Sequence, residues 1–154
     1  MSFFSFSKES VLRALWVAVA LLAAIFLTFG SEYRFSKTSG SSMEPTYKNK
    51  EIVIYKIRTK DCSFARFDAV IILQNEELLF KRIIALPNET VETREGFFYI
   101  NGKKISDPYS SVLAGEAVEP ITIRENSYFY AGDNRKETVF GICDLNEIVG
   151  RVIF

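Results

Sequence analysis

The segment Ala14–Phe29, ALWVAVALLAAIFLTF, carries no charge and one hydroxyl. With Val11, Leu12 and Arg13, whose long side chain can reach back to an interface, it makes about 19 residues. A helix needs about 20 to cross the hydrocarbon core of a bilayer. Trp16 near one end suits the interfacial position where aromatic rings collect. The competing reading is a cleaved signal peptide with its cut after Gly30, since Thr28 and Gly30 are small; bulky Phe29 lies between them. Span length favours the uncleaved anchor. Charge does not orient it, because Lys8 and Arg13 precede the segment while Arg34 and Lys37 follow closely. The expected organisation is a short N-terminus over 1–10, a transmembrane anchor over 11–30 and one further domain over 31–154.

Beyond the anchor the chain changes character. Ser31–Lys50 is polar, with glycine, serine and proline, and reads as a linker. From Glu51 onward branched and aromatic residues dominate in short runs: EIVIYKI (51–57), AVIIL (69–73), LLFKRIIAL (78–86), SYFYA (127–131) and the closing IVGRVIF. FFYINGKKI places Asn101-Gly102 between two runs, the signature of a type I′ hairpin turn. No period of 3.6 extends over ten residues here. The fold class is therefore mainly β: one N-terminal transmembrane helix followed by a small all-β domain with a single core.

Formal net charge is zero, with no long basic or acidic run, so nothing invites nucleic acid. Cys62 and Cys143 fit no metal-ligand spacing, and the chain contains no histidine. The two cysteines either form a disulfide outside the cytoplasm or pack as unpaired small residues.

The lack of histidine sharpens the question posed by SGSSMEPT (39–46), a glycine-serine turn that displays a hydroxyl. A serine is a poor nucleophile until a base shares its proton. A Ser-His-Asp arrangement is excluded. A lysine can replace histidine if burial favours its neutral amine. Lys81 sits among Leu78, Leu79, Phe80, Ile83 and Ile84, whereas Lys48, Lys50, Lys60, Lys103, Lys104 and Lys136 lie in polar company.

GSSMEPT, KRIIALPNE and GDNRKETVFG, in that order behind an apolar anchor, resemble the boxes of type I signal peptidases, membrane-anchored Ser-Lys proteases. The resemblance covers the whole chain. It implies the signal peptidase type of β domain, Ser42 as nucleophile, Lys81 as base and the Ser42 backbone N–H as an oxyanion donor. The place two residues before the nucleophile, often a serine, is Gly40, so a second donor is missing or comes from elsewhere; Gly40 allows close approach or an unusual φ. Thr138 stands where a serine commonly orients the lysine. Met43 is read as packing beneath the site and Pro45 as fixing the turn. Arg82, Gly132, Asp133, Asn134 and Arg135 are read as structural groups beside it. The usual Asp-Ser-Arg that follows is Phe140-Gly141-Ile142 here, so an ion pair is lost or Asp144 replaces it. Asn88 stands for a usual glycine and tolerates a left-handed backbone.

The resemblance further implies a peptide substrate, the signal peptide of a translocated preprotein. It would add as a strand between the segments before Ser42 and before Lys81, with Thr38 and Phe80 lining pockets for small side chains. It implies a monomer in a bacterial cell membrane, single-pass, with its catalytic domain extracytoplasmic, in contact with the bilayer and without metal or other cofactor. Two other readings stand beside it. One is a membrane-anchored assembly or chaperone-like factor with this fold and little turnover, supported by the altered late box. The other is a Ser-Lys self-cleaving regulator, which would need a DNA-binding helical region where this chain has an apolar span.

Overall fold

The computed structural model describes residues 7–29, 32–60, 62–110, 114–115 and 117–153. The chain divides into two units, one ending at Arg34 and one beginning at Phe35. The proposed cleavage point at Gly30 and Ser31 lies outside the described residues.

In the first unit a single helix, α1, runs over Lys8–Phe29. Ser7 caps it: its hydroxyl oxygen accepts the N–H of Ser10 at 3.2 Å, satisfying one of the donors a helix start leaves open. The helix is long and apolar enough to cross a membrane. Its apolar side chains as far as Leu27 are exposed, Trp16 among them.

Beyond the helix the chain is built almost wholly of strands. A seven-stranded sheet takes β1 (Tyr33–Lys37), β2 (Ile52–Ile57), β3 (Ala69–Gln74), β4 (Glu77–Ala85), β9 (Ser127–Ala131), β10 (Gly141–Asp144) and β11 (Ile148–Val152), in the spatial order β1-β2-β11-β3-β4-β9-β10. A four-stranded sheet has the order β7-β6-β5-β8, from β5 (Thr90–Arg94), β6 (Phe97–Ile100), β7 (Lys103–Lys104) and β8 (Ile121–Thr122). The Asn101-Gly102 turn joins β6 to β7 with φ of 50° and 75°, the left-handed pair a type I′ turn demands.

Two features depart from the sequence reading. The supposed linker contains β1, an edge strand whose alternation is blurred by Arg34 and Lys37. The strands β5, β8 and β10 come from TVETR, IT and GICD, too short or too polar to stand out by composition. The core is also more divided than a single cluster. One group gathers Val70, Ile72, Ile83 and Tyr130, a second Ile84, Val91, Phe98 and Phe129, and a third Met43, Val53, Ile71 and Val152. Cys62 and Cys143 are free thiols. Both belong to the first group, where burial pushes the Cys143 thiol up to about 12.

Candidate active site

Strand β4 delivers the lysine. It pairs with β3 on one side, Val70 opposite Lys81, and with β9 on the other, Ala131 opposite Arg82. The strand begins exposed at Glu77 and Leu78 and is buried from Lys81 through Ala85. Lys81 is only 7% exposed. Burial strips water from its ammonium form and lowers its pKa from the ordinary lysine value. Lys81 Nζ donates to Thr138 Oγ1 at 3.1 Å. That hydroxyl also accepts the Gly132 N–H at 2.9 Å and donates to the Val139 carbonyl at 3.2 Å. With one N–H committed to Thr138, a neutral Lys81 keeps its lone pair for another proton.

The serine comes from a turn. Gly40 enters it at φ +85°, and a Cβ there would meet nothing within 4 Å. Of the two roles open to Gly40, the unusual φ is therefore the one it fills. Met43 is 3% exposed in the third core group and pins the turn from beneath. Tyr47 N–H closes the turn onto the Met43 carbonyl at 2.9 Å. Pro45, three residues after Ser42, is exposed.

The two serines are not equivalent. Ser41 Oγ donates to Glu137 Oε2 at 2.9 Å. Ser42 is half-buried, and neither its hydroxyl nor its amide N–H has a hydrogen-bond partner among the described residues.

Gly132 joins the two halves. A Cβ at this position would overlap both the Ser42 carbonyl oxygen and the Thr138 hydroxyl. The serine turn and the lysine's partner thus rest on one Cα. Asn134 fastens the junction: its N–H donates to the Ser42 carbonyl at 3.0 Å and its side-chain amide to the Ser41 carbonyl at 3.4 Å.

Arg82 and Asp133 form a buried two-pronged pair, with Nε and Nη2 each 2.6 Å from a carboxylate oxygen. Arg82 Nη1 donates to the Phe67 carbonyl at 2.8 Å. Arg135 donates to the Gly132 carbonyl and to Asp107. Asp144, the candidate substitute, is elsewhere: it accepts from Ser127 Oγ at 2.7 Å and faces Arg124 at 3.9 Å. Asp107 is the counter-charge that sequence reasoning missed. It lies 28 residues from Arg135 in no recognisable spacing. Phe140, in the altered segment, packs edgewise on Phe98 at 5.4 Å and tilted beside Phe129 at 6.2 Å. That position packs half-buried against the second core group. Asn88 takes φ 66°, the left-handed turn its glycine counterpart would make.

Beside the site lies a recess of about 150 Å³ between Ser36–Ser39 and Leu78–Phe80, floored by Val53 and Ile71. Thr38 and Phe80 both line it. The Thr38 hydroxyl is turned to the loop behind, donating to the Lys48 carbonyl at 2.6 Å and accepting the Glu51 N–H at 2.9 Å. Thr38 is thus a fixed wall. Phe80 is braced edge-on by Tyr47, ring centroids 4.8 Å apart. Among the described residues no group of carboxylates or cysteines is arranged to hold a metal.

A family model described as signal peptidase, peptidase S26, matches residues 9–154. Signal peptidase I S of Bacillus subtilis is 31% identical over 146 residues, covering 86% of this chain and 78% of that protein. Signal peptidase I of Bacillus licheniformis is 32% identical over 155 residues, covering 88% and 83%. The crystal structure of a signal peptidase I from Enterococcus faecalis superposes with a TM-score of 0.50 at 28% identity, over 60% of this chain and 98% of that one.

Proposed function

The chain belongs to the signal peptidase family, peptidase S26, and we propose that in this signal-peptide-cleaving serine peptidase Ser42 is the nucleophile and Lys81 its base. The observation that carries the reading is the shared seat on Gly132. It places the serine turn against Thr138, whose hydroxyl is bonded to a lysine held neutral-leaning by burial.

The reaction then runs as follows. Neutral Lys81 accepts the Ser42 hydroxyl proton as Oγ attacks the scissile carbonyl. The oxyanion is received by the Ser42 N–H, a donor with no competing acceptor among the described residues. Collapse breaks the C–N bond, and Lys81 returns the proton to the departing amine. Water, deprotonated by Lys81, attacks the acyl ester and releases the carboxylate product with Ser42 restored. The substrate lies as an added strand in the cleft between Ser36–Ser39 and Leu78–Phe80. A recess of about 150 Å³ is well below the ~300 Å³ at which ligand pockets begin, so it suits a small side chain.

Both proposed reacting groups come from one chain, so a single copy would suffice for the reaction. Helix α1 serves as a single-pass anchor in a bacterial cell membrane, with the β unit on the extracytoplasmic side where translocated signal segments emerge.

The test is cleavage of a preprotein in detergent. Ser42→Ala is expected to reduce the rate at least about 10⁴-fold. Ser41→Ala, which removes only the hydroxyl bonded to Glu137, retains a readily measured rate. Loss confined to Ser41→Ala overturns the assignment.

A further inference from the structure

Arg135 has a side chain 2% exposed. A guanidinium so far from water needs a counter-charge with good geometry. Its neighbour Asp133 is already occupied, both oxygens taken by Arg82, and stands 3.8 Å from Arg135 Nη1. The partner that bonds Arg135 is Asp107, from the loop after β7. Asp107 Oδ2 accepts from Arg135 Nη2, while Oδ1 accepts the Tyr109 N–H at 3.0 Å. The Tyr109 ring lies 3.5 Å from the Arg82 guanidinium carbon, face-on. One short segment, Asp107–Tyr109, therefore grips both buried arginines.

What Arg135 does with its other end connects this segment to the site. Nη1 donates to the Gly132 carbonyl, and Nε has no partner among the described residues. Arg135 is thus held by Gly132 on one side and Asp107 on the other. Gly132 is the seat on which the Ser42 carbonyl and the Thr138 hydroxyl both rest. A displaced guanidinium would release the Gly132 carbonyl, and the seat would move with it.

We propose that Asp107 is a positioning residue for the Ser42–Lys81 pair, acting through Arg135 on Gly132, with Tyr109 steadying Arg82 from the same loop. The inference rests on the dyad reading above. Asp107 touches neither substrate nor the reacting atoms, so its contribution is to alignment. A misplacement on the order of 1 Å can cost about 10²-fold in rate.

The test uses the full chain purified in detergent, with a preprotein substrate, and compares wild type, Ser42→Ala, Asp107→Asn, Asp107→Glu and the double variant Asp107→Leu/Arg135→Met. Asp107→Asn is expected to lower kcat about 10- to 100-fold with KM changed less than about threefold. Asp107→Glu, which restores the charge, recovers most of kcat. The double variant removes both buried charges, so it folds without an orphan ion, yet it stays slow because nothing holds the Gly132 carbonyl. An inactive Ser42→Ala with wild-type kcat in Asp107→Asn overturns the inference alone. So does a double variant that melts like wild type and cleaves at the wild-type rate, even if Asp107→Asn fails to fold. Ser42→Ala that cleaves like wild type overturns the dyad reading and this inference together.

Discussion

The serine turn and the lysine strand solve opposite problems. As the proposed base, Lys81 must be unlike a lysine in water, and its strand achieves this by depth: β4 has a paired neighbour on either side, and Lys81 is 7% exposed. Ser42 must stay reachable, so it sits half-buried in a turn whose position is set by attachments alone. These are Met43 below, Gly132 behind, and Asn134 on the carbonyl. Burial tunes a group's chemistry, and contacts tune its place. In the proposed dyad the base needs the first and the nucleophile the second.

The comparison breaks most severely at Lys81. Lys81→Arg is expected to be as inactive as Lys81→Ala, each down about 10³-fold or more in kcat/KM, because a guanidinium does not give up its proton. An active Lys81→Arg with the fold confirmed by circular dichroism would show that another group is the base. Gly132→Ala tests the junction. Its Cβ must displace both the Ser42 carbonyl and the Thr138 hydroxyl, so activity should fall about 10²-fold. Overpacking should cost about 1–3 kcal/mol in denaturant melts. Wild-type activity there would mean the two halves are aligned by something else. Thr138→Val removes the acceptor for Lys81 and should cost about tenfold, the scale of one hydrogen bond; Thr138→Ser keeps it and stays close to wild type. If Val and Ser behave alike, the hydroxyl has no part in orienting the amine.

The smallest effect is a pH dependence. Burial lowers the folded-state pKa of Lys81, so between that value and about 10.4 the unfolded chain binds the extra proton. Stability from this group is complete above about 10.4, and it is lost as pH falls through the folded pKa. Wild type should therefore gain stability relative to Lys81→Met as pH rises through this window, and cleavage should rise with a midpoint below 10.4. Parallel melting curves for the two proteins would show that burial is not what sets the base.

Much of this was legible in the chain. Runs of Val, Ile and Tyr marked β2, β3, β4 and β9 to within a residue or two, because a strand buried in the sheet is written in its own composition. Asn101-Gly102 named its turn. The edge strand β1 hid behind Arg34 and Lys37, since an edge open to water tolerates charge. Ser42, Lys81 and Thr138 were singled out by resemblance and by the apolar company of Lys81, and the fold gathers their segments around Gly132. Asp107 could not be found: a counter-charge is chosen by three-dimensional proximity, and nothing in Asp107-Pro108-Tyr109 announces Arg135. Of the two outcomes left open for the late ion pair, replacement by Asp144 is not the one seen: Asp144 bonds Ser127 and faces Arg124 instead.

The position of β4 within its sheet also bears on how the molecule comes apart. A strand paired on both edges can release its amide protons to solvent only when the sheet itself opens, whereas a turn held by a few contacts can do so by local fluctuation. Amide exchange should then divide the site in two. Lys81 and its neighbours would exchange with the cooperative unit of the sheet, and the backbone around Ser42 would exchange through shallow openings. Under mild heat or denaturant the nucleophile would thus drift out of register while the amine was still shielded, and lost turnover would be restored on cooling without any refolding of the sheet.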